Sequence, residues 1–305
     1  MFKELSAAIP PPLADIRRIL IFGNSGFIGR HVERVFRQNF PTLEILGSSA
    51  PELDLTREEQ LREIARFFDS DTLVIMLAGV KRQLGDTVDT FCQNVEIAAN
   101  LCRLLERQPV RRLLLLSSAA VYGEEIHNTG ITEETPVHPT SYYGTAKYAT
   151  ECLFEKALRS QGQSSLLILR PALIYGPGDT GSGYGPSGFV KSALSGEPIT
   201  LWGDGSEKRE FLFVEDVADL VCRLAMSDAS GVLNVASGQS YTYTYVLEIV
   251  SRVIARPIQT NSRPRTKNKA DHGFCNARLT RLLPDFSFTP PAEGIRRLIS
   301  SLQTS

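Results

Sequence analysis

A chain of 305 residues with 42% hydrophobic and 22% charged residues can bury the core of one large α/β domain, or of a domain and a smaller lobe. Its 33 Lys and Arg against 34 Asp and Glu leave a formal net charge of -1, which gives no electrostatic basis for nucleic acid or an acidic membrane surface as a partner. Cysteines at 92, 102, 152, 222 and 275 have no paired metal spacing, and their odd number fits reduced thiols of a cytoplasmic protein rather than a disulfide framework.

Residues 1–17 carry Glu4, Asp15 and three consecutive prolines, Pro10 to Pro12. That composition makes a poor signal peptide and reads as a loose extension. No apolar run in the chain is long enough to span a bilayer. Regular structure is predicted from the apolar run 18–22, which ends in Gly23-Asn24-Ser25-Gly26-Phe27-Ile28-Gly29. Ile28, Val32, Val35 and Phe36 then follow at helical spacing. Strand, glycine turn and helix form the context of a dinucleotide fingerprint. Here the backbone of Gly23, Ser25, Gly26, Phe27, Ile28 and Gly29 can approach a pyrophosphate, and the helix N-terminus supplies N–H donors.

The next predicted strand, 43–46, runs into Gly47, Ser48 and Ser49. A site preferring NAD usually presents Asp or Glu at this point to hold the ribose. No acid stands there. Ser48 and Ser49 leave room for a 2′-phosphate and Arg30 can add charge, so NADP(H) is favoured and NAD(H) stays open. Asp54 and Leu55 fall on the same edge and join the candidate cofactor residues, with Asp54 or Thr56 expected to cap the following helix. A buried strand is predicted at 72–77, and Leu77, Ala78, Gly79 and Lys81 at its end let a cofactor lie across the sheet edge. A long helix is predicted at 87–107.

The run Leu113-Leu114-Leu115-Leu116 suits a strand buried on both faces. It places Ser117 and Ser118 at the carboxyl edge of a parallel sheet, where such sheets bind ligands. The loop 124–140 carries acids and two histidines but no ligand pair at helical or turn spacing, so no metal is expected. Tyr143 and Lys147 lie four apart in a helical segment and share one face. A Lys ammonium beside a phenol lowers the Tyr pKa toward neutrality, which makes a proton donor and acceptor for physiological pH. After a strand at 165–170, residues 180–188 read as a mobile loop rich in Gly, Ser and Pro. Short elements then replace the regular alternation, at 189–194, 199–202, 209–213, 214–225 and 232–235. The expected architecture is a Rossmann-like, doubly wound parallel sheet over 18–170. A smaller α/β substrate lobe is expected mainly in 171–305, with the chain crossing between lobes more than once.

Together, Gly23-x-x-Gly26-x-x-Gly29, Ser118 in Ser-Ser-Ala-Ala-Val-Tyr-Gly and Tyr143-x-x-x-Lys147 resemble the extended short-chain dehydrogenase/reductase family. The likeness is to its nucleotide-sugar epimerases, dehydratases and reductases. Ala78-Gly79-Val80-Lys81, Asn94-Val95, the stretch from Arg170 to Pro177 and the stretch from Gly203 to Asp216 agree with it. The resemblance implies that Tyr143 is the acid/base and that Lys147 tunes it while holding the nicotinamide ribose. It implies that Ser118 bonds the sugar oxygen, Lys81 reaches the cofactor phosphates and Arg209 pairs with the substrate diphosphate. Ala119, Phe189 and Trp202 are further candidates on the substrate side.

Three departures narrow the chemistry. Relatives that dehydrate carry Asp-Glu where Ala119 and Ala120 stand. Fucose-type epimerase-reductases carry Cys and His where Ala119 and Gly178 stand. Many relatives have Asn at the place of Leu173. Redox at one sugar carbon remains: an NADPH-dependent 4-ketoreductase, or an NAD-dependent 4-epimerase. A dinucleotide sensor without catalysis would be expected to have lost Tyr143 or Lys147. The resemblance also implies a homodimer through the helices at 87–107 and 141–160.

Overall fold

The computed structural model describes residues 15–159, 164–180 and 184–303. Six parallel strands form the central sheet: β1 (Arg18–Phe22), β2 (Glu44–Ser48), β3 (Thr72–Met76), β4 (Arg112–Leu116), β5 (Ser165–Pro171) and β6 (Gly231–Val235). Their spatial order is β6-β5-β4-β3-β1-β2. Every residue of β3 and β4 is buried, as a sheet covered on both faces requires. The chain direction across the sheet reverses between β1 and β3, which opens a crevice above their carboxyl ends.

Helix α1 (Phe27–Asn39) follows β1, the short α2 (Glu58–Ile64) follows β2, α3 (Val88–Arg107) follows β3 and α4 (Tyr142–Arg159) follows β4. Thr87 caps α3 in a reciprocal pair with Thr90. The expected cap of α2 is absent: Arg57 holds the capping position without a side-chain bond. The Asp54 carboxylate instead accepts from the Thr56 backbone (3.0 Å) and hydroxyl (2.7 Å). Residues 1–14 and 181–183, part of the extension and loop read from the sequence, lie outside the described residues. Ile16, at the end of that extension, is packed in the core.

Beyond β5 the chain builds a second cluster from α5 (Pro186–Ser195), α7 (Tyr243–Ile254) and α9 (Pro291–Gln303). Between these, α6 (Val214–Ala225) packs on α1 and β6 completes the main sheet beside β5. Helix α8 (Ala277–Leu282) lies against β6. The loop after β4, rich in acids, contains the strand Asn128–Ile131, which pairs in parallel with His272–Phe274. Ile131 and Phe274 are buried there with Tyr122, so this loop is tied down by apolar packing. Among the described residues no helix is long and apolar enough to cross a membrane.

Candidate active site

The turn after β1 is shaped for a close approach of backbones. Gly23 has φ of 86°, and a Cβ there would stand 2.8 Å from the Ala78 nitrogen. A Cβ on Gly29 would fall 2.0 Å from the Gly23 carbonyl oxygen. The Ser25 N–H donates to Ser49 Oγ (3.0 Å), whose hydroxyl donates to Asn24 Oδ1 (2.7 Å). These contacts seat the start of α1 above the ends of β1, β2 and β3. A cavity of about 540 Å³ opens there. Every residue expected to bind a cofactor lines it, from Gly23, Ser25, Gly26, Phe27, Ile28 and Gly29 through Ser48, Ser49, Asp54, Leu55, Leu77, Ala78, Gly79 and Lys81 to Tyr143 and Lys147, with Arg30 the exception. The Arg30 guanidinium bends back to the carbonyls of Gly26 (3.3 Å) and Ser25 (3.4 Å) and lies beside Gly178. It is held to the turn before its own helix and does not line the cavity that Ser48 lines. The cradle that a Cβ would fill, together with the N–H groups of Phe27 and Ile28 in the first turn of α1, fits a pyrophosphate.

Tyr143 and Lys147 project from the first turns of α4 toward the end of β4. Ser141 Oγ accepts from the Gly144 N–H (3.0 Å), and the Asp86 carboxylate accepts from the Tyr143 N–H (2.9 Å). The phenol of Tyr143 faces Ser118, which acts to lower its pKa, and Ser118 Oγ accepts from the Ala120 N–H (3.1 Å). Lys147 Nζ donates to the Leu116 carbonyl (2.9 Å) and stands 5.8 Å from the Tyr143 ring centre. The expected depression of the phenol is not what this geometry gives. Burial pushes Tyr143 up to about 12, opposed by the Ser118 hydrogen bond, while the Glu124 charge adds to the rise. Burial of the ammonium brings Lys147 down to about 8, with Glu151 acting the other way. Desolvation outweighs Ser118 and the Arg82 charge, which act to lower the phenol, and the Lys147 ammonium is turned to a backbone carbonyl.

A second cavity, of about 380 Å³, meets the first at Arg82, Ser118, Glu124 and the segment Pro171, Ala172 and Leu173. Ser118, Ala119, Trp202 and Arg209 line it as expected. Tyr143 lies on the cofactor side of the junction, and Phe189 lines neither cavity. Phe189 is buried, edge-on to Tyr184 and Tyr243, and serves as a core ring beneath the wall those two tyrosines form. Sequence reading missed Arg82, Glu124, Tyr184, Tyr243, Arg265 and Lys267, all on the lining. The alternation of Arg263, Arg265, Lys267 and Lys269 was a usable signal for the last pair. The cations are neutralised in place: Arg82 pairs with Glu124, Lys267 with Glu125, Arg209 with Glu207 at 2.9 Å, and Arg265 with Asp204 at 2.9 Å. No cluster of His, Cys, Asp and Glu placed to hold a metal occurs among the described residues.

A parallel sheet with a dinucleotide cradle at its switch point, and a Ser-Tyr-Lys set beside it, defines an oxidoreductase-type enzyme of the extended short-chain class. The chain belongs to the NAD dependent epimerase/dehydratase family, whose pattern it matches over residues 19–236. It is similar to GDP-L-fucose synthase of Sinorhizobium fredii, 28% identical over 263 residues that cover 81% of this chain and 82% of the relative. It is also similar to GDP-L-colitose synthase of Yersinia pseudotuberculosis, 22% identical over 78% of this chain and 82% of the other. Among solved structures it resembles UDP-glucose 4-epimerase of Thermus thermophilus in complex with NAD. That match has a TM-score of 0.80, 25% identity and coverage of 94% of this chain and 99% of the other.

Proposed function

We propose that this enzyme reduces the 4-keto group of a nucleotide-linked hexose with NADPH. The observation that carries the reading is the meeting of the two cavities at Ser118, with Tyr143 and Lys147 lining the cofactor side of that seam and Lys147 held to the Leu116 carbonyl. The glycine turn, Lys81 and Lys147 would hold the dinucleotide, which when bound supplies the hydride for the sugar carbon. Ser118 orients the ketone oxygen, and Tyr143 holds a proton for that oxygen. A phenol pushed up to about 12 keeps its proton at neutral pH, which suits a donor in the reducing direction. On the far side, Arg209, Arg265 and Lys267 offer cations for a diphosphate, exchanging carboxylate partners for phosphate oxygens. Tyr184, Trp202 and Tyr243 supply flat apolar wall. Unpaired cysteines, five among the described residues, fit work in the cytoplasm.

A second reading, the NAD-dependent 4-epimerase, is favoured by the position of Arg30, which leaves the β2 edge without a cation. Affinities of the purified protein for NADPH and NADH separate the two. Reductase predicts tighter NADPH binding, and Ser48→Asp should shift preference toward NADH by about tenfold for each 1.4 kcal/mol of difference. Equal affinities, or NAD that copurifies tightly bound, would move the assignment to the epimerase.

A further inference from the structure

One turn beyond Lys147 on α4 stands Glu151, a carboxylate that the reaction as described does not use. It is 3% exposed. The Ser117 hydroxyl donates to its Oε1, and Arg170 on β5 donates to it through Nε (3.0 Å) and Nη2 (2.6 Å). Arg170 spends its remaining arm on the Tyr122 hydroxyl (2.9 Å), which donates in turn to Asn234 Oδ1 (2.8 Å). The pair is thus oriented: its carboxylate end lies on the helix face of Tyr143 and Lys147, and its guanidinium end points into β5 and β6. A buried ion pair contributes little net stability compared with apolar residues of the same shape, so fold stability alone gives weak reason for it here.

We propose that Glu151 is a positioning residue that keeps Lys147 an ammonium, presenting a fixed negative charge one helical turn below it. This rests on the reading above that Lys147 works as a cation. Lys147 donates to the carbonyl of Leu116, the residue next to Ser117, so both ends of the arrangement hang on the same strand terminus. The other ionisable groups around Lys147 do not replace Glu151. Tyr143 on its own helix keeps its proton at neutral pH, Lys81 and Arg82 from the β3 loop carry like charge, and Glu124 is committed to Arg82 and Ser141. Asp54 is bound to Thr56, and Asp179 lines the same cavity from the loop after β5. Among them Glu151 is the group that opposes the burial of the ammonium.

The test follows Lys147 directly. Full-length, cofactor-free protein labelled with ¹³C-lysine is titrated by NMR, the Lys147 resonance being assigned by its loss in K147M. The pH dependence of kcat/KM is measured alongside. In E151Q the Lys147 titration should move down by about one unit or more, and the alkaline limb of kcat/KM should move with it. E151Q/R170M, which leaves no unpaired buried charge, should show a displacement of the same sign but smaller, because the Arg170 cation leaves with the carboxylate, and it serves if E151Q does not fold. E151D, which keeps the charge and draws it back by one methylene, should give a smaller one. A Lys147 titration unchanged in a folded variant would reduce the pair to a staple between α4 and β5 and overturn the proposal. Displacement in the NMR titration with an unmoved rate profile would leave the electrostatic tie standing and refute the use of Lys147 as a cation in turnover.

Discussion

Gly29→Ala is the smallest change that tests the cradle. The residue sits in the first turn of α1 with ordinary helical backbone, so an alanine brings no conformational strain of its own. Its Cβ, however, would lie 2.0 Å from the Gly23 oxygen and 2.7 Å from the Asn24 Cα, both backbone atoms of the turn. The turn must retreat from the helix by about 1 Å or more, and overpacking of this kind costs about 1–3 kcal/mol. That retreat shifts the start of α1, with the Phe27 and Ile28 N–H groups, away from where a pyrophosphate would be held. One lost hydrogen bond to a charged oxygen is worth about 1.5–3 kcal/mol, or roughly 10- to 100-fold in affinity. Calorimetric titration with NADPH and NADH reads the change. Gly130→Ala, where the nearest atom to a Cβ is 4.0 Å away, serves as the control and should bind as the wild type does. Unchanged dinucleotide affinity in a folded Gly29→Ala protein would refute the cradle.

Tyr143→Phe should retain fold and cofactor binding while turnover falls by about 10²–10⁴, and Tyr142→Phe, which alters an exposed ring, should leave it nearly unchanged; the reverse pattern in steady-state rates would show that the helix register is misassigned. His272 is buried, donates to the Ile126 carbonyl at 2.9 Å, and is brought down to about 4 from 6.5 by burial. The unfolded chain therefore takes the proton first, and stability should fall as pH drops from 6.5 toward 4, by about 3 kcal/mol at full extent. Urea unfolding of His272→Asn against wild type at neutral pH and at the acid end checks this: the variant should lose less stability, and an identical loss would contradict it. Exposed Tyr142, Tyr148 and Val88 on or beside the outer faces of α3 and α4 motivate the homodimer, which light scattering at micromolar concentration should detect; a monomer there would remove it.

The parts of the fold carried by short-range pattern were legible in the sequence. The glycine spacing after an apolar run announces β1, its turn and α1, because only small residues permit that approach of backbones. Four consecutive leucines mark a strand covered on both sides, and Tyr143 with Lys147 needs no more than helical periodicity. What the sequence did not disclose depends on three-dimensional company. Val232 to Val235 reads as one more short strand of the second lobe, and nothing local says that it hydrogen-bonds β5 and extends the main sheet. Phe189 has the composition of a cavity wall and the position of a core ring. The Arg82–Glu124 contact joins loops 42 residues apart, and the raised Tyr143 comes from burial that spacing alone does not reveal.

In the proposed reaction hydride reaches a single sugar carbon from a dissociable reduced cofactor, with Tyr143 providing the proton. Incubating the enzyme with NADPH deuterated at the transferring position and a 4-keto nucleotide-hexose tests it most directly, with the product read by NMR. One deuterium at C4 and stoichiometric loss of NADPH are expected, both slowed by about 10²–10⁴ in Tyr143→Phe. A product without deuterium would overturn it, as would inversion at C4 of a 4-hydroxy nucleotide-hexose, supplied in place of the ketone, with no consumption of added cofactor.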